Sequence, residues 1–552
     1  MSDSTRMDTL LIGIDAGCLP VFERLFADGR IPTIERLCTD GACGPLESQI
    51  PPWTPSAWPS LYTGTNPGKH GATGFVHYDG YDWHVTGRDD VEEHSLWSLL
   101  DVQGYSSVVV NVPVTHPPDE IDGAVVPGFI GPEDPQCHPE GTLEELREAI
   151  GEYRVYPNYT RGDDEVSDAE KMAEYRTLVR MRGEAFRYLA DRHDPDFGFV
   201  QFQKTDTVFH EFDGDEEKVA SVYEATDAQI AEILEECNPK RVFLASDHGM
   251  GPYEEYEFRV NEFLREEGYV TVTTNGKGMP SWNPIRHQLR QGNDERTWEP
   301  STLERLAGTA ATFGLTARRA RRALEAVHLD GLAMKYVPKN VARTANEQVD
   351  FEQSIAYLRA RTELGVRINL EGREPNGVVS PEEYDDVRAA LIRDLESVQT
   401  PDGDPVFAEV TPREQYFHGK NAEKAVDVVT IPNDFRFFLS DQLAGDYFAP
   451  PTESWNHKLD GVFVASGEGI DTDAPLRDAH LFDVAPTIMA ALGVPYSDRM
   501  DGSVLPVVER SDVRSNAYPE YGRNEDGEAD PAGSDEPTDQ VENRLADLGY
   551  LG

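Results

Sequence analysis

The chain has 552 residues, enough for one large α/β body with one or two insertions. Its 101 Asp and Glu residues outnumber the 50 Lys and Arg residues and give a formal net charge of −51. This charge argues against general nucleic-acid binding, which depends on basic groups opposite phosphate. Because acidic residues occur along the whole length, we interpret the charge as halophilic, with an acidic disordered tail as the alternative explanation.

The sequence shows no sign of export or of membrane insertion. Its five cysteines form no CxxC pair, which fits a reducing compartment. The apolar stretch near the N-terminus is shorter than the core of a signal peptide with its cleavage site, so we interpret it as the first strand. No segment approaches the ~20 apolar residues that cross a bilayer. These features predict a cytoplasmic protein, and they do not indicate its oligomeric state.

From residue 8 to about residue 269, short apolar runs alternate with amphipathic stretches. The runs are LLIGID, SSVVVNVP, FGFVQFQ and RVFLASD. Strands that alternate with helices predict a mostly parallel central sheet with helices on both faces. The clearest helices are predicted at about 168–192 and about 216–236, where apolar residues recur every three to four positions.

The character of the sequence changes at about residue 275. An Arg-rich stretch up to about residue 347 contains TARRARRALEAVHL and predicts an inserted helical cap. Its basic helix can bind an anionic surface, or its arginines can pair with nearby carboxylates. After the cap, LGVRINL, a helix at about 381–396 and VDVVTI predict a smaller βαβ-like unit.

The main alternation resumes with GVFVAS and a helix at about 482–492, and the segment at 511–539 is acidic and predicted to be disordered. The closing VENRLADLGYLG has helical spacing. We therefore predict four regions. They are residues 1–275 and 441–510, forming the main α/β domain, residues 276–440, forming an inserted cap or substrate region, and residues 511–552, forming a largely disordered tail with a short terminal helix.

Side chains that can bind metals follow three of the predicted strands. Asp15 ends LLIGID, and Asp247 and His248 follow VFLAS. Asp206 and His210 stand four apart in TDTVFH, and they share one face if that segment is helical. Open α/β sheets bind ligands beyond the carboxyl ends of their strands, so we expect these side chains to lie together.

Two further residues complete the candidate set. Thr54, in PPWTPSAWPSLYTGTNPGKHG, is a candidate nucleophile, and its hydroxyl needs a base or a metal to become reactive. His457 precedes GVFVAS and would bring a ligand from far along the chain, while Gly249 is expected to allow a sharp turn after His248. Mixed Asp and His ligands favour Zn²⁺, with Mn²⁺ as the alternative. Two cations ~4 Å apart suit phosphoryl transfer.

In this order, the motifs resemble those of the alkaline phosphatase superfamily. The similarity is closest to its type I phosphodiesterase/nucleotide pyrophosphatase branch and to the predicted phosphohydrolase/phosphomutase group of archaea and bacteria. The motifs are IGIDA, TPSAWPSLYTGTNPGKHG, TDTVFH, SDHGMGP, NHKLDGVFVASG and DVAPTIMAALG, and they cover most of residues 8–507. Together with the acidic composition, the resemblance favours a haloarchaeal source.

The resemblance implies two metal sites with three side-chain ligands each. The first would be formed by Asp206, His210 and His457. The second would be formed by Asp15, Asp247 and His248, with Thr54 bridging toward it. In this family, the residue at the position of Thr54 attacks phosphorus and forms a covalent phosphothreonine.

One position departs from the family pattern and leaves the substrate open. Ala57 stands where the nucleotide phosphodiesterase branch has an asparagine that contacts a phosphate oxygen. Side chains that can replace this contact are Lys69, Lys204, Asn66, Asn456 and Arg373.

The predicted function is therefore a two-metal phosphohydrolase that acts on a small-molecule phosphate ester, as a phosphodiesterase or as a phosphatase. A phosphomutase of the phosphoglycerate mutase type is the nearest alternative, because it uses similar ligands and returns the phosphoryl group to the substrate. The alternative from another class is a non-catalytic protein that binds an anionic surface through the basic cap helix.

Overall fold

The computed structural model describes residues 7–159, 166–253, 255–273, 348–508 and 514–521. The predicted cap helix TARRARRALEAVHL and the predicted terminal helix VENRLADLGYLG lie outside these described residues. Within them, no helix combines the length and the apolar character needed to cross a membrane.

The described residues form strands, α-helices and several short 3₁₀ turns. The strands are Met7–Ile14 (β1), Ala42–Glu47 (β2), Val76–Asp79 (β3), Asp82–Val85 (β4), Ser107–Val110 (β5), Gly123–Val126 (β6), Phe197–Phe202 (β7), Pro239–Ala245 (β8), Gly249–Pro252 (β9), Glu257–Arg259 (β10), Val272–Thr273 (β11), Gln348–Val349 (β12), Ala356–Tyr357 (β13), Gly365–Ile368 (β14), Phe407–Pro412 (β15), Val428–Pro432 (β16), Phe438–Ser440 (β17), Phe448–Ala449 (β18), Trp455–Lys458 (β19) and Asp460–Gly467 (β20). The α-helices are Leu19–Ala27 (α1), Pro32–Asp40 (α2), Thr54–Thr63 (α3), Pro67–His70 (α4), Leu96–Val102 (α5), Thr142–Ile150 (α6), Asp168–His193 (α7), Lys204–Phe212 (α8), Glu216–Cys237 (α9), Val260–Glu266 (α10), Tyr384–Glu396 (α11) and Val484–Ala491 (α12).

The main body is built around a seven-stranded sheet with the order β2-β20-β8-β1-β7-β5-β6. The five strands from β8 to β6 are mutually parallel. Strand β20, which contains GVFVAS, runs antiparallel to both of its neighbours, β2 and β8. The predictions of a mostly parallel sheet and of the return of GVFVAS to it are therefore confirmed.

Helices cover both faces of this sheet. Successive residues of a strand point to opposite faces, and in strands such as β1 the residues on both faces are apolar. Leu10 and Ile12 of β1 pack into the core beneath α7 and α9, whose extents confirm the two predicted helices. Leu11 points to the opposite core, which includes residues of α3, α5 and α12. The continuous apolar run of β1 is thus the signature of a strand that is buried on both faces.

A smaller region has its own core and a four-stranded sheet with the order β13-β14-β16-β15. The prediction that VDVVTI follows its helix as a parallel strand is wrong, because this segment is β16 and pairs antiparallel with β14. Helix α11 leads instead into β15, and β16 then turns back and lies between β14 and β15. The sequence-based prediction missed β15, which reverses the direction of the next strand.

A buried charge network fixes this smaller sheet. Asp427 is fully buried and accepts hydrogen bonds from Arg373 at 2.7 Å and from Arg413 at 2.8 Å. It also accepts the Tyr384 hydroxyl and the Ile368 backbone N–H, each at 2.7 Å. Burial alone raises the pKa of this carboxyl, but Arg373, together with Arg367 and Arg413, outweighs that effect and holds the pKa well below its ordinary value.

We expect Asp427→Asn to lower the free energy of unfolding by about 3–5 kcal/mol near neutral pH, because the buried Arg413 and the partly buried Arg373 lose this carboxylate. The native pKa lies below the unfolded value of about 3.9, so this stabilisation is present above that pH and is lost as the pH falls toward the native pKa. Denaturant titrations over a pH series measure the difference. Asp385→Asn, which removes an exposed partner of Arg388, is the control and should change stability little. A difference that does not shrink in acid would contradict the assignment.

Candidate active site

Three adjacent strands of the main sheet bring the candidate residues to one edge. Asp15 directly follows β1, and Asp247 and His248 lie between β8 and β9. Asp206 and His210 lie one turn apart on α8, which follows β7. Strands β8, β1 and β7 are neighbours in the sheet, so five side chains that are far apart in sequence converge beyond its carboxyl edge.

A small hairpin brings the last candidate into the same place. Strand β19 pairs antiparallel with β9, and His457 lies opposite Met250. The expectation that Gly249 makes a sharp turn is wrong, because this residue is the first of the extended strand β9. Its lack of a side chain has another reason: a Cβ atom there would lie 2.2 Å from the Asp460 carbonyl oxygen. Gly249 therefore allows a close approach of two chain segments.

Thr54 is the first residue of α3, and its hydroxyl points into the cluster. Its Oγ1 atom lies 3.5 Å from Asp15 Oδ1 and 3.4 Å from His248 Nε2. Close packing of α3 against β1 sets this position, since a Cβ atom on Gly13 would lie 2.6 Å from the Trp58 ring. Trp58 also donates a hydrogen bond from Nε1 to Asp15 Oδ2 at 3.3 Å.

The six acidic and imidazole side chains form two overlapping groups, all of them buried. Asp206 Oδ1 lies 3.3 Å from His210 Nε2 and 3.4 Å from His457 Nε2. His248 Nε2 lies 3.2 Å from Asp247 Oδ2 and 3.5 Å from Asp15 Oδ1. The rings of His248 and His457 stack with centroids 3.6 Å apart, and this contact joins the two groups.

Each imidazole presents Nε2 to the cluster because its other nitrogen faces an oxygen atom. His457 Nδ1 lies 2.8 Å from the Pro52 carbonyl oxygen, and His248 Nδ1 lies 3.0 Å from that of Gly249. His210 Nδ1 faces Glu453 Oε2 at 3.7 Å. A proton held on Nδ1 leaves the Nε2 lone pair available, which is the arrangement typical of metal-binding histidines.

The electrostatics of the cluster call for positive charge. Burial, and then the charge of the neighbouring carboxylates, raises the pKa of Asp15 and of Asp247 well above the ordinary value. Burial likewise lowers the pKa of His248. A cation among these groups would favour the ionised carboxylates and the neutral imidazoles. Three carboxylates and three oriented imidazoles therefore fit divalent metal ions.

Sequence reasoning missed side chains that support these residues. Gln201 donates a hydrogen bond to Asp15 Oδ2 at 2.8 Å and is itself held by Asn111 Nδ2. Glu453 faces His210, and the Glu453 carboxylate accepts a hydrogen bond from Asn456 Nδ2 at 2.8 Å. Gln201 had a signal in the sequence, because it is the one polar side chain in the otherwise apolar strand FGFVQF.

Three proposed replacements for the missing phosphate contact have structural partners elsewhere. Lys69 pairs with Asp501 at 2.5 Å, and Asn66 donates to the same carboxylate at 2.9 Å. Arg373 belongs to the Asp427 network of the smaller region.

The other two replacements lie close to the cluster in the chain. Asn456 is used by Glu453 and by the backbone of His457. The Lys204 ammonium lies over the Tyr175 ring at 5.4 Å. Ala57 is fully buried inside α3.

The family model described as type I phosphodiesterase/nucleotide pyrophosphatase matches residues 9–308, which is more than half of the chain. The chain belongs to this family. It is therefore an enzyme of the class that hydrolyses phosphoric ester bonds. No curated protein sequence matches the chain.

Solved structures with the same architecture include the alkaline phosphatase PafA. The comparison gives a TM-score of 0.51 at 14% identity and covers 92% of this chain and 99% of PafA. Phosphonoacetate hydrolase from Sinorhizobium meliloti 1021 gives a TM-score of 0.48 at 14% identity, and the comparison covers 89% of this chain and 96% of the hydrolase. Human ectonucleotide pyrophosphatase/phosphodiesterase 5 gives a TM-score of 0.48 at 12% identity, and the comparison covers 90% of this chain and 97% of the human protein. The likeness to PafA confirms an alkaline phosphatase-like fold.

We expect His457→Ala to lower the number of divalent ions bound per chain by one, because it removes an imidazole from the group around Asp206. The rate of phosphate ester hydrolysis should fall by about 100-fold or more, the scale of losing one electrostatic contact to a developing charge. Metal analysis after dialysis and steady-state kinetics measure the two effects. His94→Ala, which removes an imidazole that contacts the Pro519 carbonyl, is the control. Retention of the full metal content by His457→Ala would contradict this role.

Proposed function

We propose that the chain is a metal-dependent phosphodiesterase that acts through a covalent phosphothreonine at Thr54. The observation that carries this proposal is the convergence of three carboxylates and three imidazoles around one buried hydroxyl. The proposed ligands are Asp206, His210 and His457 for one ion, and Asp15, Asp247 and His248 for the other. The mixed oxygen and nitrogen donors favour Zn²⁺, with Mn²⁺ as the alternative.

The position of Thr54 supports its role as the nucleophile. Its hydroxyl lies within 3.5 Å of Asp15 Oδ1, to which it donates a hydrogen bond, and this contact holds the oxygen at the centre of the cluster. Thr54 is also the first residue of a ten-residue helix, whose dipole places partial positive charge at this end. Both features favour the alkoxide and the negative charge that develops on the phosphoryl group.

The reaction proceeds in two displacements. Thr54 Oγ attacks phosphorus as the bond from phosphorus to the leaving oxygen breaks. Thr54 gives its proton to solvent, and the leaving oxygen takes up a proton and departs as the alcohol. Water then attacks the phosphothreonine, which releases the phosphate product and restores the hydroxyl. Bound divalent ions would supply positive charge for the nucleophile, the leaving oxygen and the phosphoryl oxygens.

The charge of the site favours diesters over monoesters. With two divalent ions bound and the Thr54 hydroxyl protonated, three carboxylates would leave one net positive charge, which would match the single negative charge of a phosphodiester. A phosphomonoester dianion brings one more negative charge and needs an added cationic side chain. Of the cationic candidates, Lys69 and Arg373 are held by Asp501 and Asp427, and the Lys204 ammonium lies over the Tyr175 ring.

We also propose that residues 1–275 and 441–510 together supply the catalytic domain and that residues 276–440 form an insertion in it. The support is the origin of the site residues. The segment up to His248 contributes six of them, and His457 comes from the later segment. Strand β20, next to β8, also comes from that later segment.

We expect Thr54→Ala to lower the rate of phosphodiester hydrolysis by about 1,000-fold or more, because it removes the nucleophile while keeping the six Asp and His ligands. Thr54→Ser, which keeps a hydroxyl, should retain much more activity. Acid quenching during turnover followed by peptide mass spectrometry should find the phosphoryl group on Thr54 of the unsubstituted chain. Full activity of Thr54→Ala would refute the nucleophile assignment.

We expect kcat/KM for bis(p-nitrophenyl) phosphate to exceed that for p-nitrophenyl phosphate by about tenfold or more. One uncompensated charge at 4 Å costs from ~1 kcal/mol in water to ~4 kcal/mol at an effective dielectric constant of 20. Both substrates release the same phenolate. They differ only in the charge of the phosphoryl group and in its second substituent, so the ratio of their kcat/KM values reports the effect of that difference. A preference for the monoester would overturn the diester assignment and leave the role of Thr54 intact.

A further inference from the structure

Outside the catalytic cluster, the described residues bring together one further group of metal-binding side chains, namely His77, His84 and Asp90. His77 lies on β3 and His84 on β4, and the two face each other across the antiparallel hairpin. Their rings stack with centroids 5.0 Å apart and an interplanar angle of 24°. Pairing of the two strands therefore fixes the two imidazoles next to each other.

The third member, Asp90, is placed by its own backbone contacts. It ends the 3₁₀ turn Arg88–Asp90, and its Oδ2 atom accepts the Gly87 backbone N–H at 2.8 Å. This bond turns Oδ1 toward both rings, at 2.8 Å from His84 Nε2 and 3.5 Å from His77 Nδ1. One carboxylate oxygen thus lies between two imidazole nitrogens.

These distances fit the coordination shell of a transition metal. Ligands at 2.0–2.1 Å from a tetrahedral Zn²⁺ ion lie about 3.3 Å from each other. The three donor atoms all lie within 4.8 Å of one another, so small movements of the side chains suffice. The His84 side chain is 52% exposed, whereas those of His77 and Asp90 are 15% and 11% exposed. An ion can therefore enter from solvent and keep a fourth position open to water.

The charges around the group allow a cation. Asp79, on the same hairpin, and Glu92 add negative charge on the side of the rings. The ammonium groups of Lys420 and Lys424 approach from the smaller region and pair with Glu92, at 2.7 and 3.1 Å. The positive charge of Lys424 lowers the pKa of both imidazoles, but the nearer Asp90 raises it by more. Two neutral imidazoles and one carboxylate are a ligand set that suits Zn²⁺.

We propose that His77, His84 and Asp90 form a further transition-metal site, of the Zn²⁺ type, separate from the catalytic cluster. The ion would tie the β3–β4 hairpin to the turn that leads into the main core at Val91. The same hairpin contacts the smaller region, where the Tyr81 hydroxyl donates to Asn369 Oδ1 at 2.9 Å. The site would thus stabilise the contact between the main body and the smaller region. This inference does not depend on the proposed catalytic mechanism.

The experiment compares Zn²⁺ bound per chain in the full-length protein, in His84→Gln and in His418→Gln. Each protein is equilibrated with Zn²⁺ at about pH 8, where imidazoles are neutral, and the metal is counted after dialysis. His418 is the matched control because it pairs with one carboxylate, Asp501 at 3.1 Å, and none of the other described histidines joins that pair. His84 is exposed, so its replacement should leave folding and diester hydrolysis unchanged.

We expect His84→Gln to bind one Zn²⁺ ion fewer than the unsubstituted chain and His418→Gln to bind the same number. The rise in melting temperature on Zn²⁺ addition should also be smaller for His84→Gln, because an ion that binds only the native state stabilises it. Equal Zn²⁺ content in His84→Gln and the unsubstituted chain would overturn the site. Equal losses in both variants would also overturn it, because they would reflect nonspecific binding to surface histidines.

Discussion

The structure depends on one electrostatic constraint, the burial of three carboxylates within one small volume. Asp15, Asp206 and Asp247 all lie beyond the same edge of the sheet. The imidazoles of His210 and His457 hold the pKa of Asp206 below its ordinary value, whereas burial makes the ionisation of Asp15 and Asp247 unfavourable without positive charge. Their surroundings are organised to hold them in place despite this cost. Asp15 accepts hydrogen bonds from Trp58 and Gln201, and the Ala16 N–H lies 3.3 Å from Asp247 Oδ1. The supporting residues thus fix a charge arrangement that is unstable alone and suited to divalent cations.

The smaller region takes part in this arrangement through a chain of contacts. Arg361, in a short turn of that region, lies 3.4 Å from Glu453 Oε1, and Glu453 Oε2 faces His210. The orientation of one imidazole therefore depends on a residue outside the main sheet. The Asp427 network in turn holds the strands of the smaller region together. Stability of the smaller sheet and geometry of the site are thus physically connected.

The sequence predicted the elements that are set by local patterns and missed those set by pairing. Strand β1 and helices α7 and α9 follow from apolar periodicity, and Asp206 and His210 follow from helical spacing. The placement of β16 between β14 and β15 is not encoded in any short pattern, because it depends on which edges meet after folding. The contact of Glu453 with His210 was not predicted for the same reason, since only the fold brings these two residues together. The predicted halophilic source, the cytoplasmic location and the choice of Zn²⁺ stay predictions.

The late position of His457 in the chain has a consequence for synthesis. Strand β20 lies between β2 and β8, so these two strands have no common partner until the ribosome has made the segment that follows β19. The nascent chain therefore passes through a stage in which the sheet lacks an inner strand and the site lacks an imidazole. Long-range pairing of this kind slows folding, because the entropy of closing the loop is lost before the contact forms. A chain stopped before this point would contain the proposed nucleophile but not a complete site, so catalytic competence would appear only after the segment that contains His457 has been made.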